Sequence, residues 1–428
     1  MKRILIFSYY FPPCHGSAPW RAFSWAQHFK AFGLFPVVVT RHWHGNEHRW
    51  ADYVNDVDLP LQHEVTNDFE VYKLPSQKSS LFHFLHRRNL INKFLRPAYY
   101  FLSDVVGNFS PDVNAYKTFS AFASQYLESN NFDFILLTCP PHNLCKLIPE
   151  LKQKSGAKII ADFRDIWDNF EPTPSYRPSF SKRITNSLYK LYLKKWMIHS
   201  YAVSTVTPAF VGALQKVSGK KVVVIYNGFE ENYFENITRQ PNDIFTCSMI
   251  GSLYAAQPVN IIIDGINLFL KQHPHAKAIF KFIGLDANNP FIKSISQTID
   301  SKYLYFSPRL NKADAIKATV QSDVLLYPGW QGYKGIVGVK PLDYLASRNN
   351  ILLAPGDGDI LDKIIAETNA GVIANNAEDF ANKLSKFYAE WSQDKKCVYN
   401  GIESKINFYT RRNQTAIFAN YLLSINNE

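Results

Sequence analysis

Short apolar runs that alternate with longer amphipathic segments constrain this 428-residue chain more than any other feature. A run of four to eight apolar residues is the signature of a strand buried on both faces, and an amphipathic segment between two such runs is the helix that covers a parallel sheet. The pattern predicts strands at Ile4–Ser8, Phe35–Thr40, Phe69–Leu74, Phe134–Thr138, Lys158–Ala161, Ala202–Thr207 and Val222–Ile225. Helices are expected at Arg21–Phe32, Asn143–Lys154 and Pro208–Val217. The rhythm then restarts, with strands at Phe245–Ile250, Ala278–Ile283, Leu304–Phe306, Val324–Leu326, Ile351–Ala354 and Gly371–Ala374. Pro258–Gln272, Pro290–Ile299, Lys312–Gln321 and Lys340–Ala346 are the helices among them, and Asn376–Trp391 and Ile402–Leu423 are terminal helices.

A chain of this length exceeds one ordinary core and suits two domains. The polar stretch Asn227–Asp243 is the natural linker, which divides the chain into 1–226, 227–400 and a terminal helical segment 401–428 expected to pack back on the first domain. The fold class is therefore α/β, with two Rossmann-like doubly wound domains facing across a cleft. Neither half carries a G-x-G-x-x-G or a P-loop, which disfavours dehydrogenases and P-loop enzymes. Ligands of such folds bind at the carboxyl ends of the strands.

Charge is uneven. Residues 1–220 hold 26 Lys and Arg against 16 Asp and Glu, and residues 221–428 hold 21 against 20. A basic first half suits an anionic partner such as a lipid surface, a phosphate-bearing acceptor or nucleic acid, and it also serves solubility. The basic residues form no recognised nucleic-acid-reading module. Five cysteines without a C-x-x-C pair indicate neither zinc nor a disulfide framework and fit a reducing cytosol. The apolar run after Met1-Lys2-Arg3 is too short for a signal peptide, and no stretch has the length of a membrane span.

Candidate site residues stand where strands end. Tyr9-Tyr10-Phe11-Pro12-Pro13-Cys14-His15-Gly16 follows the first strand, and Gly16 before a helix start can open backbone N–H groups to a phosphate. An ordinary strand-to-helix connection reads the same way. Cys139-Pro140-Pro141-His142 puts an imidazole at another strand end. Asp162-Phe163-Arg164-Asp165-Ile166-Trp167 follows the next, and its two carboxylates beside one guanidinium read either as a loop-shaping salt bridge or as groups that orient sugar hydroxyls. In the second half Gly251 ends a strand, Arg309 supplies a cation at another, and Gly335–Ala346 is a glycine loop entering a helix. Lys340 and the helix start suit a diphosphate, and Asp343 one turn on suits a ribose diol, although helix capping with a surface Lys and Asp gives the same pattern.

Taken together and in order, these segments resemble glycosyltransferase family 4, the retaining enzymes of the GT-B fold, in the branch that resembles bacterial cell-surface polysaccharide glycosyltransferases. The Phe11-Pro12-Pro13 and Gly16 loop is similar to the family's amino-terminal signature. Cys139–His142 and Ala161–Trp167 resemble its acceptor-side loops, Tyr226-Asn227-Gly228-Phe229 its interdomain segment and Lys340–Ala346 its donor-site helix. The resemblance implies that Gly16, Gly251, Arg309, Lys340 and Asp343 bind a nucleoside-diphosphate sugar. It implies that His142 lies near the transferred sugar, that Lys340 neutralises the leaving diphosphate, and that Arg164 and Asp165 are on the acceptor side. It implies no cofactor and no metal. Three positions depart from the pattern: Gly335 replaces the first acidic residue, Asp343 replaces a glutamate, and Gln257 occupies the region of a basic residue, for which Arg309 or Lys334 would compensate.

The expected activity is transfer of a sugar to a glycan or lipid-linked acceptor in cell-surface polysaccharide synthesis, without nucleic acid. The expected location is cytoplasmic and peripheral on the inner face of the cell membrane. Leu81–Leu102 places Leu81, Phe84, Leu85, Ile91, Phe94 and Leu95 on roughly one helical face, away from Arg87, Arg88, Lys93 and Arg96. That segment reads either as an interfacial helix on anionic lipid or as a buried helix of the first domain. A GT-B-like sugar-nucleotide epimerase and a non-catalytic nucleotide-sugar or polysaccharide binding protein are the alternatives.

Overall fold

The computed structural model describes residues 1–47, 50–77, 80–85, 90–109, 113, 115–166, 180–254, 256–285 and 289–425. These form two compact units, Met1–Tyr226 with Gln414–Glu428 and Asn227–Asn413. Both are parallel sheets flanked by helices, as the alternating pattern predicts.

The first unit contains β1 (Lys2–Ser8), β2 (Leu34–Arg41), β3 (Gln62–Val65), β4 (Glu70–Leu74), β5 (Phe134–Cys139), β6 (Lys158–Phe163), β7 (Ala202–Thr205) and β8 (Val222–Val224). Their order is β3-β4-β2-β1-β5-β6-β7-β8, and every neighbouring pair is parallel except β3 with β4. β1 lies at the centre, and Ile4 to Phe7 have no exposed surface. Leu5 and Phe7 pack into one core, while Ile4 and Ile6 pack into the other on the opposite face. The strand period of two explains this division.

The second unit contains β9 (Phe245–Ile250), β10 (Ala278–Ile283), β11 (Leu304–Ser307), β12 (Val324–Tyr327), β13 (Asn350–Leu353) and β14 (Gly371–Ile373). Their order is β11-β10-β9-β12-β13-β14, all parallel. This is the doubly wound order whose strand direction of travel reverses at one point, and a ligand is expected there. The reversal falls between β9 and β12 here, and between β1 and β5 in the first unit.

Four features differ from the sequence expectation. The strand β3 was not expected, because its residues are polar and mostly exposed at an edge, where no apolar alternation is needed. The helices Ala115–Ser129, Phe180–Met197 and Ile360–Thr368 were also not expected. Leu81–Leu102 is not one helix: Ser80–Leu85 and Leu90–Val105 are separate, and Arg87 and Arg88 lie outside the described residues. Ile402–Leu423 is broken into Glu403–Asn407 and Arg411–Ile425. The break has a local cause. The Phe229 N–H donates to Tyr409 O and Phe229 O accepts from Arg411 N–H, so the backbone groups that would continue the helix bond Phe229 instead. Beyond the break, Phe418, Ala419, Leu422 and Ile425 are buried with Trp25 and Phe29 in the first unit's core.

A buried ion pair closes the carboxyl side of the first sheet. Arg21 donates to both oxygens of Asp162, at 3.0 and 2.7 Å, and also to Ile225 O at 2.8 Å. Thr138 and Ser204 donate to the same carboxylate at 3.1 and 2.8 Å. Removing one member of such a pair strands the other without solvent. The Asp162→Ala variant is expected to lose roughly 3–5 kcal/mol of stability, read as an earlier first-unit transition in urea unfolding.

Candidate functional site

In the first unit, two loops leave the sheet at its point of reversal. The loop after β1 carries Gly16 at φ 96°, in the left-handed region where a side chain is disfavoured. Glu47 organises this loop. Its carboxylate accepts from His15 N at 3.1 Å, His44 N at 2.8 Å and Gly45 N at 3.2 Å. Burial pushes Glu47 up, but the backbone N–H groups together outweigh it and hold the carboxyl below its ordinary value. Tyr53 Oη closes the loop by donating to His15 O at 3.0 Å.

His142 opens the short 3₁₀ turn after β5. It is half-buried, stacked at 5.7 Å on Phe163 and edge-on to Tyr189 at 5.5 Å. Its Nε2 lies 2.9 Å from Asp165 O. A carbonyl can only accept, so Nε2 holds the proton. Burial lowers the imidazole pKa despite that bond and the nearby Asp165 charge. The ring is therefore neutral at pH 7 with Nδ1 as an acceptor, which is the state that can receive a hydroxyl hydrogen bond.

The Asp162–Trp167 segment divides into distinct roles. Asp162 pairs with Arg21 and not with Arg164. The Arg164 guanidinium is a brace: it donates to Ala18 O at 2.5 Å and Pro140 O at 3.3 Å, holding the Gly16 and His142 loops to β6. Asp165 is exposed and contributes its carbonyl to His142. Trp167 lies outside the described residues.

The second unit gathers Gly251, Lys340 and Arg309. Gly251 follows β9 at φ 96°, and a Cβ there would stand 2.4 Å from Lys340 Cε. The missing side chain is what lets Lys340 lie across the strand end, where its Nζ donates to Ser252 O. Lys340 is half-buried in the first turn of helix Val339–Ser347, whose N-cap Gly338 supplies no side-chain bond. Burial, reinforced by the nearby Arg309 cation, pulls the Lys340 ammonium down to about 8. Exposed Arg309, Lys340 and an uncapped helix start are all electropositive, so the place favours an anion. Asp343, one turn on, is paired with Lys312 Nζ at 2.6 Å.

Some neighbours of this cluster escaped the sequence reading. Tyr254 places its ring 5.7 Å from Lys340 Nζ and 5.3 Å from the Trp330 ring. The signal was present in Tyr327-Pro328-Gly329-Trp330-Gln331-Gly332-Tyr333, an aromatic and glycine run that begins at the last residue of β12. Gln257 is buried and structural, since it accepts from Tyr254 N and donates to Pro328 O at 3.2 and 2.9 Å. Gly335 brings no carboxylate itself, but its N–H donates to Asp359 at 2.5 Å, so an acid from another loop reaches that position.

Two outcomes are expected from this geometry. Gly251→Ala combines a left-handed backbone with displacement of Lys340 and should cost more than about 1 kcal/mol in thermal denaturation. Glu47, with its depressed pKa, stabilises the loop above the unfolded carboxyl value, and this is lost as pH falls through the folded one. Glu47→Gln should therefore flatten the acid limb of a Tm-against-pH curve, with little change in slope above neutral pH.

No protein-family model matches the sequence, and no curated protein matches it. Solved structures do match in fold. Sucrose-phosphate synthase from Thermosynechococcus elongatus aligns with a TM-score of 0.61 and 13% identity, over 99% of each chain. The trehalose-6-phosphate synthase from E. coli bound with UDP-2-fluoro glucose aligns at 0.60 and 15%, over 98% of this chain and 99% of that one. A glycosyltransferase from Rickettsia africae ESF-5 aligns at 0.59 and 14%, over 99% and 98%. Identities this low speak for architecture alone: the chain has the α/β fold of the GT-B glycosyltransferases, with two parallel-sheet domains.

Proposed function

We propose that this chain is a retaining glycosyltransferase, similar to family 4, which moves a sugar from a nucleoside-diphosphate sugar to a glycan or lipid-linked acceptor in cell-surface polysaccharide synthesis. It works in the cytoplasm at the inner face of the membrane. The observation that carries this reading is the half-buried Lys340 laid over Gly251 at a helix start, at the point where the second sheet reverses. Among the described residues no carboxylate pairs with this ammonium, and a half-buried charge without one is costly unless a ligand anion meets it.

The roles follow from that chemistry. A departing nucleoside diphosphate gains charge as the glycosidic bond breaks, and Lys340, Arg309 and the helix N–H groups stabilise it most at that moment. Asp343 exchanges Lys312 for the ribose hydroxyls. The Tyr254 ring flanks Lys340 beside the diphosphate, and Gly251 lets the phosphate approach the backbone. In the first unit, neutral His142 accepts a hydrogen bond from a hydroxyl of the transferred sugar, and Gly16 leaves room for it. Arg164 and Asp165 act on the acceptor side by setting the loops that carry His142. The solved structures of like fold support the reading because they include a synthase bound with a UDP-sugar analogue.

Thermal denaturation with UDP, GDP, ADP and their sugar conjugates tests the proposal. A ligand at a hundred times its Kd stabilises the native state by about 2.7 kcal/mol, a shift of several degrees. One nucleotide family should give that shift and Lys340→Met should abolish it. Binding should weaken as pH rises above about 8, where Lys340 loses its proton. The unliganded Lys340→Met protein should melt higher than the parent at neutral pH. The unfolded lysine holds its proton to a higher pH than the folded one, so the folded charge carries a penalty that is complete below about 8. An unchanged nucleotide shift in Lys340→Met would remove Lys340 from the donor site. No shift with any nucleotide would favour a polysaccharide-binding protein.

A further inference from the structure

Helix Leu90–Val105 is inverted with respect to its own composition. Its buried side chains are Asn92 and Ser103. Leu90 and Phe94 are each 78% exposed and Ile91 is 69% exposed, and Leu95, Leu102 and Val105 continue the outward stripe. These positions recur with the period of a helix, so one continuous apolar face points away from the unit that carries it. Single exposed apolar residues are ordinary, whereas a contiguous set marks a surface that meets another apolar phase. In the preceding helix, Ser80–Leu85, Leu81 and Phe84 are also exposed, while Phe82 and Leu85 face inward. The interfacial and buried readings of the sequence are thereby separated: of the six apolar side chains placed on that face, only Leu85 is buried.

A second helix, Phe180–Met197, lies against the end of the first. Tyr192 Oη donates to Val105 O at 2.8 Å, and the Tyr192 ring would stand 2.8 Å from a Cβ at Gly107. This helix adds Phe180, 80% exposed, and Leu191, 64% exposed. It also carries Lys182, Arg183, Lys190, Lys194 and Lys195, all exposed. Together the two helices hold seven Lys and Arg residues and one acid, Asp104.

We propose that these two helices form a docking surface for an anionic lipid bilayer, with Phe94 and its apolar neighbours entering the acyl boundary and the lysines meeting the headgroups. The inference deepens the lipid-linked reading of the acceptor and rests on it for its biological purpose. The charge argues for lipid over a second copy of this chain, because two such cationic faces would repel and lysine is depleted from protein interfaces. No helix among the described residues is long and apolar enough to cross a membrane, so the contact lies in the interfacial plane. Lysine stems lie along the apolar phase while their ammonium groups reach the phosphates.

Sedimentation with vesicles of phosphatidylcholine alone, or mixed with phosphatidylglycerol, tests this. The full-length protein should sediment with the mixed vesicles and hardly with the neutral ones, and binding should fall as salt rises. The Ile91→Ser and Phe94→Ser double variant changes only exposed side chains and should bind at least roughly tenfold more weakly. Lys194→Glu with Lys195→Glu should also weaken binding while retaining the parent Tm. Equal binding to both vesicles, or none to either, would overturn the proposal. So would a concentration-dependent dimer that Phe94→Ser dissolves, since a second copy would then cover the face. The nucleotide thermal shift separates the two readings: no shift in a parent protein that binds the mixed vesicles counts against the donor site alone, and a retained shift in the two double variants together with lost vesicle binding assigns their defect to the surface.

Discussion

Asp162 has no exposed surface at the end of β6, and a carboxylate there is tolerable only because Arg21 meets it with both arms of its fork while Thr138 and Ser204 donate from the two neighbouring strands. One side chain thus ties the carboxyl ends of β5, β6 and β7. Arg21 extends the tie to the backbone after β8 through Ile225 O. Everything placed on the loops of this unit depends on that junction. The Gly16 loop runs into the helix that bears Arg21, and the His142 turn continues β5, whose Thr138 is bound to Asp162. Arg164 then braces both loops through carbonyls of Ala18 and Pro140. A buried ion pair gives little net stability over an apolar substitute, so its value here is geometric: it leaves one arrangement of strand ends and penalises the rest.

The second unit solves a related problem without pairing its central charge. Lys340 is packed over a glycine, and its burial and the nearby Arg309 cation lower its pKa. Its only hydrogen-bond partner among the described residues is the Ser252 carbonyl. The buried Asp323 of the same unit is different, since Arg239, Asn242 and the Thr246 N–H all bond its carboxylate. Structural charge is satisfied within the fold, while the charge at the sheet's reversal point is not fully satisfied there. That contrast is the physical basis for proposing a ligand at Lys340.

Much of the architecture was legible in the chain. Parallel strands covered by helices need mostly apolar segments, and thirteen of the fourteen strands among the described residues fall on segments that the sequence pattern picks out. The exception, β3, is an exposed edge that needs no such run. The helix Phe180–Met197 was less legible because its apolar and basic residues do not sort into an inner and an outer face. The candidate site was partly legible: Gly251, His142 and Gly16 stand on segments that leave strand ends, where chemistry collects, and Lys340 stands at a helix start behind a glycine loop. Tyr254, Glu47 and Asp359 were not found, because their relevance depends on loops that come together from 24 or more residues away or on a ring that happens to flank Lys340.

The sequence by itself determined two parallel sheets with helical cover, since period and composition at each segment permit little else. It also determined that Leu81–Leu102 carries an apolar face. Only the tertiary structure decided which way that face points. Periodicity records that residues share a side and carries no record of what covers it. The same holds for Asp162, which stands two residues from Arg164 and 141 from Arg21 yet pairs with Arg21. Orientation at a strand end chooses the partner, and orientation is set by packing that no local stretch of sequence contains.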